Sequence, residues 1–304
     1  MSENIDGILV VNKPKGMTSF GVVARLRRVI GQKKIGHAGT LDPNVDGVLV
    51  IALGRATKLI DFLQAHPKTY TGEITLGFST ETQDADGEIV ERQLLTEAFS
   101  AEQIDQSMQA LTGDIIQIPP MYSAVKVNGR RLYEYARAGE KVALPERKAH
   151  IYEFKRTSDL KLQDGLESFT FEAKVSKGTY IRTLASDLGQ KLNWPATMTA
   201  LTRQAGSGFS LDESTDLDTL MEMDRAEIMK KVVPIADILP WPKKELTQEE
   251  WFAVSNGQKI SPRQWAPNDA GYLALYYQGE LKLVYQFDSE RDCWVSRYVF
   301  SNQS

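Results

Sequence analysis

The run His37-Ala38-Gly39-Thr40-Leu41-Asp42-Pro43-Asn44-Val45-Asp46-Gly47-Val48-Leu49 carries the clearest chemistry in the chain. Pro43 fixes its own φ and pushes Asp42 towards extended geometry, so the carboxylate is presented on a stiff turn. Gly39 and Gly47 permit backbone conformations, or close approach by a ligand, that other residues resist. A carboxylate held this way suits a nucleophile or a general base. It equally suits an ordinary Asp-Pro turn joining a loop to a strand. An unperturbed Asp, with a pKa of about 3.9, is already charged at neutral pH.

Bulk composition narrows the function classes. The chain has 304 residues, 42% hydrophobic and 25% charged, which is the profile of a soluble globular protein. That length suits one large core with a smaller appendage. No stretch approaches the roughly 20 apolar residues of a membrane span, and the N-terminus lacks the basic-then-apolar pattern of a secretory signal. Cys293 is the only cysteine and there are three histidines, so neither an internal disulfide nor a metal cluster is expected. A cytoplasmic protein without membrane contact follows. The net charge of −4 argues mildly against nucleic acid as a partner. Phosphate contacts need only a local basic face, however. Arg25, Arg27, Arg28, Lys33 and Lys34 offer one, and Lys126, Arg130, Arg131, Arg137 and Lys141 another; both also read as solvated surface.

The elements that must position Asp42 are legible from periodicity. Residues 7–13 and Val48–Leu53 read as strands, the second a continuous apolar run between glycines. Thr18 or Ser19 caps a helix over about 20–30, with Phe20, Val23, Leu26 and Ile30 at helical spacing. Another helix begins within 57–62. Residues 70–78 alternate as a strand with one buried face, and 84–87 is a turn. Ser100 with Gln103 forms a capping box before a helix carrying Ile104, Met108 and Leu111, closed by Gly113. Asn128-Gly129 signals a hairpin. A strand over 169–175 feeds Lys177-Gly178, and Ile181, Leu184, Ala185 and Leu188 form a helical stripe ending at Gly189. A polar helical segment covers about 215–231, Pro234, Pro240 and Pro242 mark a linker, and a hairpin turns at Gln278-Gly279. Strands and helices do not alternate regularly, which favours an α+β fold on a mixed, mostly antiparallel sheet flanked by helices.

Seven strings, in order along the first two thirds of the chain, resemble the TruB family of bacterial tRNA pseudouridine synthases. They are Asn12-Lys13-Pro14-Lys15-Gly16-Met17-Thr18-Ser19, Gly36-His37-Ala38-Gly39-Thr40-Leu41-Asp42-Pro43, Lys68-Thr69-Tyr70, Thr82-Gln83-Asp84-Ala85-Asp86-Gly87, Ile118-Pro119-Pro120-Met121-Tyr122-Ser123-Ala124-Val125-Lys126, Ser176-Lys177-Gly178-Thr179-Tyr180-Ile181-Arg182-Thr183-Leu184 and Leu201-Thr202-Arg203. The resemblance implies a catalytic domain over 1–240, with an RNA-gripping insertion at about 119–145, and a small β-rich, PUA-like domain over 241–304. It implies isomerisation of uridine-55 in the T-loop of tRNA, by base flipping and without a cofactor, in a monomer needing no protein partner. The acidic residues Asp269, Glu280, Asp288, Glu290 and Asp292 make a strong phosphate grip in the last domain doubtful.

Site roles follow from the same resemblance. Asp42 is the catalytic carboxylate, attacking C1′ or C6 or promoting elimination at the sugar. Arg182, whose fork matches a carboxylate, aims Asp42 and keeps it deprotonated; without the resemblance it reads as a surface arginine on a first helical turn. Tyr70 stacks on the flipped base, or continues the Ile74-Leu76 core face. Tyr180 and Leu201 line the uracil pocket, Leu201 being otherwise an ordinary core leucine. His37 lies near the flipped nucleotide or caps a turn. Lys13 supports the catalytic loop or meets phosphate. Lys126 belongs to the insertion that grips the T-arm, an exposed RNA loop of the kind proteins read. The alternative function is a non-catalytic RNA-binding protein or tRNA-folding chaperone. A carboxylate glycosidase or nucleosidase would need a second acid near Asp42, for which Asp46 and Asp84 are the candidates.

Overall fold

A computed structural model describes residues 4–301. The apolar runs Gly7–Lys13 and Asp46–Leu53 pair antiparallel, from Gly7 opposite Leu53 to Lys13 opposite Gly47. Leu9, Val11, Leu49, Ile51 and Leu53 enter one core, and Ile8, Val10, Val48, Val50 and Ala52 enter a second on the opposite face. Both faces of these strands are covered, which is why they read as continuous rather than alternating apolar runs.

These strands belong to one large sheet. From one edge its order is Thr215–Asp216, Gly7–Lys13, Asp46–Leu53, Ala196–Gly206, Lys68–Leu76, Leu166–Val175, Arg147–Arg156 and Gly113–Gln117. Two junctions are parallel and short: Val11-Asn12 with Thr215-Asp216, and Asp46-Gly47 with Thr202-Arg203. The rest of that path is antiparallel. The α+β class and the mixed, mostly antiparallel sheet are as expected.

Helix Ser19–Ile30 starts where Thr18 accepts a hydrogen bond from Gly21 N and packs Val22, Val23, Leu26 and Ile30 inward. Phe20, expected on that stripe, is 64% exposed beneath the Arg27 guanidinium. The buried stripe is carried by 22, 23, 26 and 30, and position 20 falls outside it. Ser19 instead locks the helix to the Asp42 loop, donating to Leu41 O and accepting from Leu41 N.

Several boundaries differ from the sequence reading. The strand expected over 70–78 is Lys68–Leu76; Gly77, at φ +114°, turns the chain before Phe78–Thr80 pairs with Ile89–Arg92. The Ser100–Gln103 capping box is present, but its helix ends at Gln109, and Gly113 opens a strand. Helix Ile181–Leu192 continues past Gly189 to a left-handed cap at Asn193. Gly189 is there for close approach: a Cβ on it would stand 2.5 Å from Trp194 O. The helix expected within 57–62 is a 3-10 turn, Gly54–Leu59, followed by Ile60–Ala65. The segment 215–231 forms two short helices, Leu217–Glu222 and Arg225–Lys230, the second capped by Asp224.

Asn128 and Gly129 both have positive φ and close the hairpin Lys126–Val127/Arg130–Arg131, as the Asn-Gly signal requires. Gln278 and Gly279 do the same between Tyr272–Tyr277 and Glu280–Asp288. Those two strands, with Lys243–Glu245 and Cys293–Val299, form a four-stranded C-terminal sheet. It has a core of its own around Trp251, Trp265, Tyr285 and Trp294. Its other face, through Ala274, Tyr276, Val284 and Tyr298, joins Trp241 against Ile8, Val10, Val48 and Val50 of the large sheet.

Candidate active site

The parallel junction at Asp46-Gly47 and Thr202-Arg203 anchors the loop that carries Asp42. Val45 N donates to Asp42 O at 3.2 Å, so the Asp-Pro turn is real, and the same turn presents the carboxylate to a cavity. The turn reading of this segment therefore holds, and the turn leaves the carboxylate accessible. Two buried groups fix the loop from beneath, and one exposed tie fixes it from the side. The buried Lys13 ammonium donates to Pro14 O at 2.8 Å, Met17 O at 2.7 Å and Pro43 O at 3.0 Å. Arg203, also buried, donates to Val48 O at 2.6 Å, Thr40 O at 3.4 Å and Gly39 O at 3.3 Å. Asn44 reaches Asp86 at 2.7 Å and ties this turn to the 84–87 turn.

The cavity, of about 310 Å³, is lined by Asp42, Tyr70, Tyr180, Arg182 and Leu201, with Lys68, Ser123, Lys177 and Arg203. That volume is at the small end of ligand pockets, suited to a nucleoside-sized group. Asp42 is the only carboxylate among the lining residues. Tyr70 is 8% exposed, belongs to the core cluster and also lines the cavity. Arg203 stands opposite Tyr70, and Leu201 opposite Gly72, on the paired strands Ala196–Gly206 and Lys68–Leu76.

Arg182 and Asp42 meet, Nη2 to Oδ2 at 3.1 Å. The contact is not a two-pronged fork on one carboxylate. Nη1 faces Asp84 Oδ2 at 3.5 Å and donates to Thr82 O, while Nη2 also donates to Tyr122 O, both at 3.0 Å. One guanidinium thus stands between two carboxylates. Asp84 is held away from the cavity by Thr82 Oγ1 at 2.5 Å and by Asp86 N at 3.1 Å, and Asp46 accepts from Thr202 at 2.6 Å. Neither is a second acid across the cavity from Asp42, so the glycosidase geometry is absent among the described residues.

Burial shifts several of these groups. The Asp42 carboxyl sits above its ordinary value because it is desolvated; Arg182 pulls it down, and Asp84 and Asp86 push it up. This corrects the expectation of an unperturbed aspartate, and a more basic carboxylate is a better proton acceptor. Burial also lowers Lys13 to about 8, and lowers Lys68 to about 8 with help from Arg203 and Lys177.

Three expected site residues stand outside the cavity lining. Lys13 is buried with its ammonium turned onto the carbonyls of the Asp42 loop. His37 sits in the short strand Ile35–His37 with its Nδ1 buried; burial lowers its pKa, and interaction with the Gly39 backbone partly offsets this. Lys126 is exposed on the hairpin of the insertion. The residues missed were Lys68, Ser123, Lys177 and Arg203. Period-two spacing puts Lys68 on the face of Tyr70 and Arg203 on that of Leu201, a signal available in the sequence. Among the described residues, no group of three His, Cys, Asp or Glu side chains is placed to hold a metal ion.

The fold resembles that of a protein in the crystal structure of a Cbf5-Nop10-Gar1 complex, with a TM-score of 0.71 over 97% of this chain and 85% of that one, at 24% identity. A second solved structure, an H/ACA RNP bound to a substrate RNA containing 2′-deoxyuridine, matches with a TM-score of 0.68 at 22% identity over 97% and 85% of the two chains. Residues 27–181 match the model of the N-terminal domain of TruB family pseudouridylate synthases. The chain is 48% identical to tRNA pseudouridine synthase B of Lacticaseibacillus paracasei, covering 94% of this chain and 95% of that protein. It is 47% identical to tRNA pseudouridine synthase B of Streptococcus gordonii, over 97% and 100% of the two chains. The chain belongs to the TruB family of pseudouridylate synthases.

Proposed function

We propose that this protein isomerises uridine in tRNA to pseudouridine, at position 55 of the T-loop, with Asp42 as the catalytic carboxylate and no cofactor. The observation that carries the reading is Asp42, half-exposed to a nucleoside-sized cavity edged by Tyr70, met there by Arg182 at 3.1 Å and the one carboxylate among the lining residues. The near-full-length likeness to two tRNA pseudouridine synthase B proteins supports the same substrate.

The reaction breaks the N1–C1′ bond, turns the base and joins C5 to C1′. The C5 proton leaves and N1 gains one, so the composition is unchanged. Asp42 either bonds C1′ or C6 or takes the proton that starts elimination at the sugar; its raised basicity favours each. Arg182 holds the carboxylate in place, Tyr70 offers a flat face to the extruded base, and Tyr180 and Leu201 enclose it. His37 lies two residues before Gly39, which lines the cavity, and is placed to meet the flipped nucleotide's surroundings.

Residues 119–145 grip the T-arm. Lys126 is exposed there, and Arg130 lies over the Tyr135 ring at 4.3 Å while Arg131 and Arg137 flank Tyr133, a basic and aromatic surface suited to an RNA loop. We assign 1–240 to the catalytic domain, 241–304 to the PUA-like domain, and a monomeric, cytoplasmic state consistent with a tRNA substrate; no described helix is long and apolar enough to cross a membrane. The test is tritium release from tRNA labelled at uracil C5. Wild-type protein should release it and the Asp42→Asn variant should not, while both bind tRNA. A non-catalytic RNA binder would release none, and equal release by the variant would remove Asp42 from the chemistry.

A further inference from the structure

Gln117 ends the strand Gly113–Gln117 and is 1% exposed. Its Oε1 accepts from Tyr180 N at 3.0 Å, and its Nε2 donates to Tyr180 O at 3.2 Å. A side-chain amide thus pairs with a main-chain residue as a neighbouring strand would. Asp187, on the same helix as Arg182, interacts electrostatically with Gln117 from the other side. An ionised carboxylate only accepts, so it draws the amide nitrogen to its side and dictates which end of the amide meets Tyr180 N–H and C=O.

Tyr180 is the N-cap residue of helix Ile181–Leu192, and no side chain within the segment caps it. The first turn of that helix brings Arg182 to Asp42, and the Tyr180 ring edges the cavity. The Tyr180 carbonyl also takes a helical hydrogen bond from Leu184 N at 3.0 Å, so the hold on its N–H is what comes from another strand. Gln117 itself is not among the cavity-lining residues. The chain runs straight from it into the basic segment 119–145, whose Tyr122 O takes a hydrogen bond from Arg182.

Resting on the reaction assigned above, we propose that Gln117 is a positioning residue: it clamps the Tyr180 main chain, sets the Tyr180 ring at the mouth of the Asp42 cavity, and is itself oriented by Asp187. A buried glutamine that merely satisfied two main-chain groups would matter for folding alone. Side chains held by a second layer of hydrogen bonds matter for geometry too, and a displacement of about 1 Å at a reacting centre costs up to about a hundredfold in rate.

The experiment compares wild-type full-length protein, Q117M, Y180F and the double variant in single-turnover tritium release and tRNA filter binding. Q117M should slow turnover by about tenfold or more while the tRNA dissociation constant stays within about twofold. In the Y180F background Q117M should cost less than about threefold, because the clamp works by placing the hydroxyl that ring carries. Q117E supplies a second readout if Q117M fails to fold. Two facing carboxylates disrupt the clamp at high pH, and protonation restores one donor and one acceptor, so its rate relative to wild type should climb as pH falls. The proposal is overturned if Q117M turns over at the wild-type rate, if its loss lies wholly in tRNA affinity, if its effect multiplies independently with that of Y180F, or if Q117E shows no such climb. Absence of release by the wild-type protein would sink the functional reading and this proposal with it; wild-type release alongside an undiminished Q117M sinks the clamp alone.

Discussion

Replacing Arg182 by lysine keeps a positive charge and removes its spread. Arg182 serves four acceptors with two terminal nitrogens: Thr82 O and Asp84 Oδ2 from Nη1, Tyr122 O and Asp42 Oδ2 from Nη2. One ammonium nitrogen cannot stand within hydrogen-bond reach of all four. At a side chain only 7% exposed, two abandoned acceptors cost about 1–3 kcal/mol each, so R182K should lose about 2–6 kcal/mol of stability. The rate effect has a separate origin. A preorganised donor at a reacting charge is worth about 3–4 kcal/mol, so turnover should fall by roughly a hundredfold or more. Arg182 also lowers a carboxyl that burial has raised. With that pull weakened, the Asp42 pKa climbs further, and since a protonated Asp42 neither attacks nor takes a proton, the acid limb of the rate profile must move to higher pH. Single-turnover tritium release between about pH 5 and 8 measures this, with urea unfolding and tRNA binding alongside. Turnover within tenfold of wild type, or an acid limb at or below that of wild type, refutes the argument.

Two other perturbations test the frame around the site. K13M strips three carbonyls of their donor and should lower stability by about 2–4 kcal/mol in urea unfolding and slow turnover with tRNA affinity unchanged; an unaltered unfolding midpoint would mean Lys13 does not hold the loop. Burial raises the Asp187 carboxyl to about 6 from 3.8, so the folded protein keeps a proton that the unfolded chain has lost. That contribution is fully present below the lower value and fades as pH rises through the higher one. D187N should therefore gain stability relative to wild type between about pH 4.5 and 7, and parallel pH profiles of urea unfolding for the two proteins would contradict it.

Asp42 was legible because its neighbours are conformationally special: a proline and two glycines mark a constrained loop whatever the rest of the fold does. The strands 7–13 and 48–53 were legible because burial on both faces leaves an unbroken apolar run. Gly189 misled because a glycine near a helix end has two physical uses, a left-handed cap and a close approach, and only the neighbouring strand decides between them. Phe20 misled because an apolar residue next to a helical stripe looks like part of it. The shared use of Arg182 by Asp42 and Asp84 could not be read from spacing, since the three residues come from segments far apart in the chain. Gln117 escaped for a similar reason: its partner is the main chain of Tyr180, 63 positions away, and main-chain partners leave no mark on residue type. Tyr70 and Leu201 were poised between core and site because they occupy the boundary itself.

The second core ties the last sixty-odd residues to the first two hundred and forty. A protein cut after Leu239 would strip Trp241, Ala274, Tyr276, Val284, Tyr298 and Phe300 from the core they share with Ile8, Val10, Val48 and Val50, on strands whose opposite face supports the Asp42 loop. At about 1.5–3 kcal/mol for each aliphatic side chain laid fully bare, even partial exposure of that face is a large fraction of a typical domain's stability of about 5–15 kcal/mol. Shortening or exchanging the C-terminal module in a descendant of this chain therefore requires a new hydrophobic lid for that face, whatever the module does for RNA.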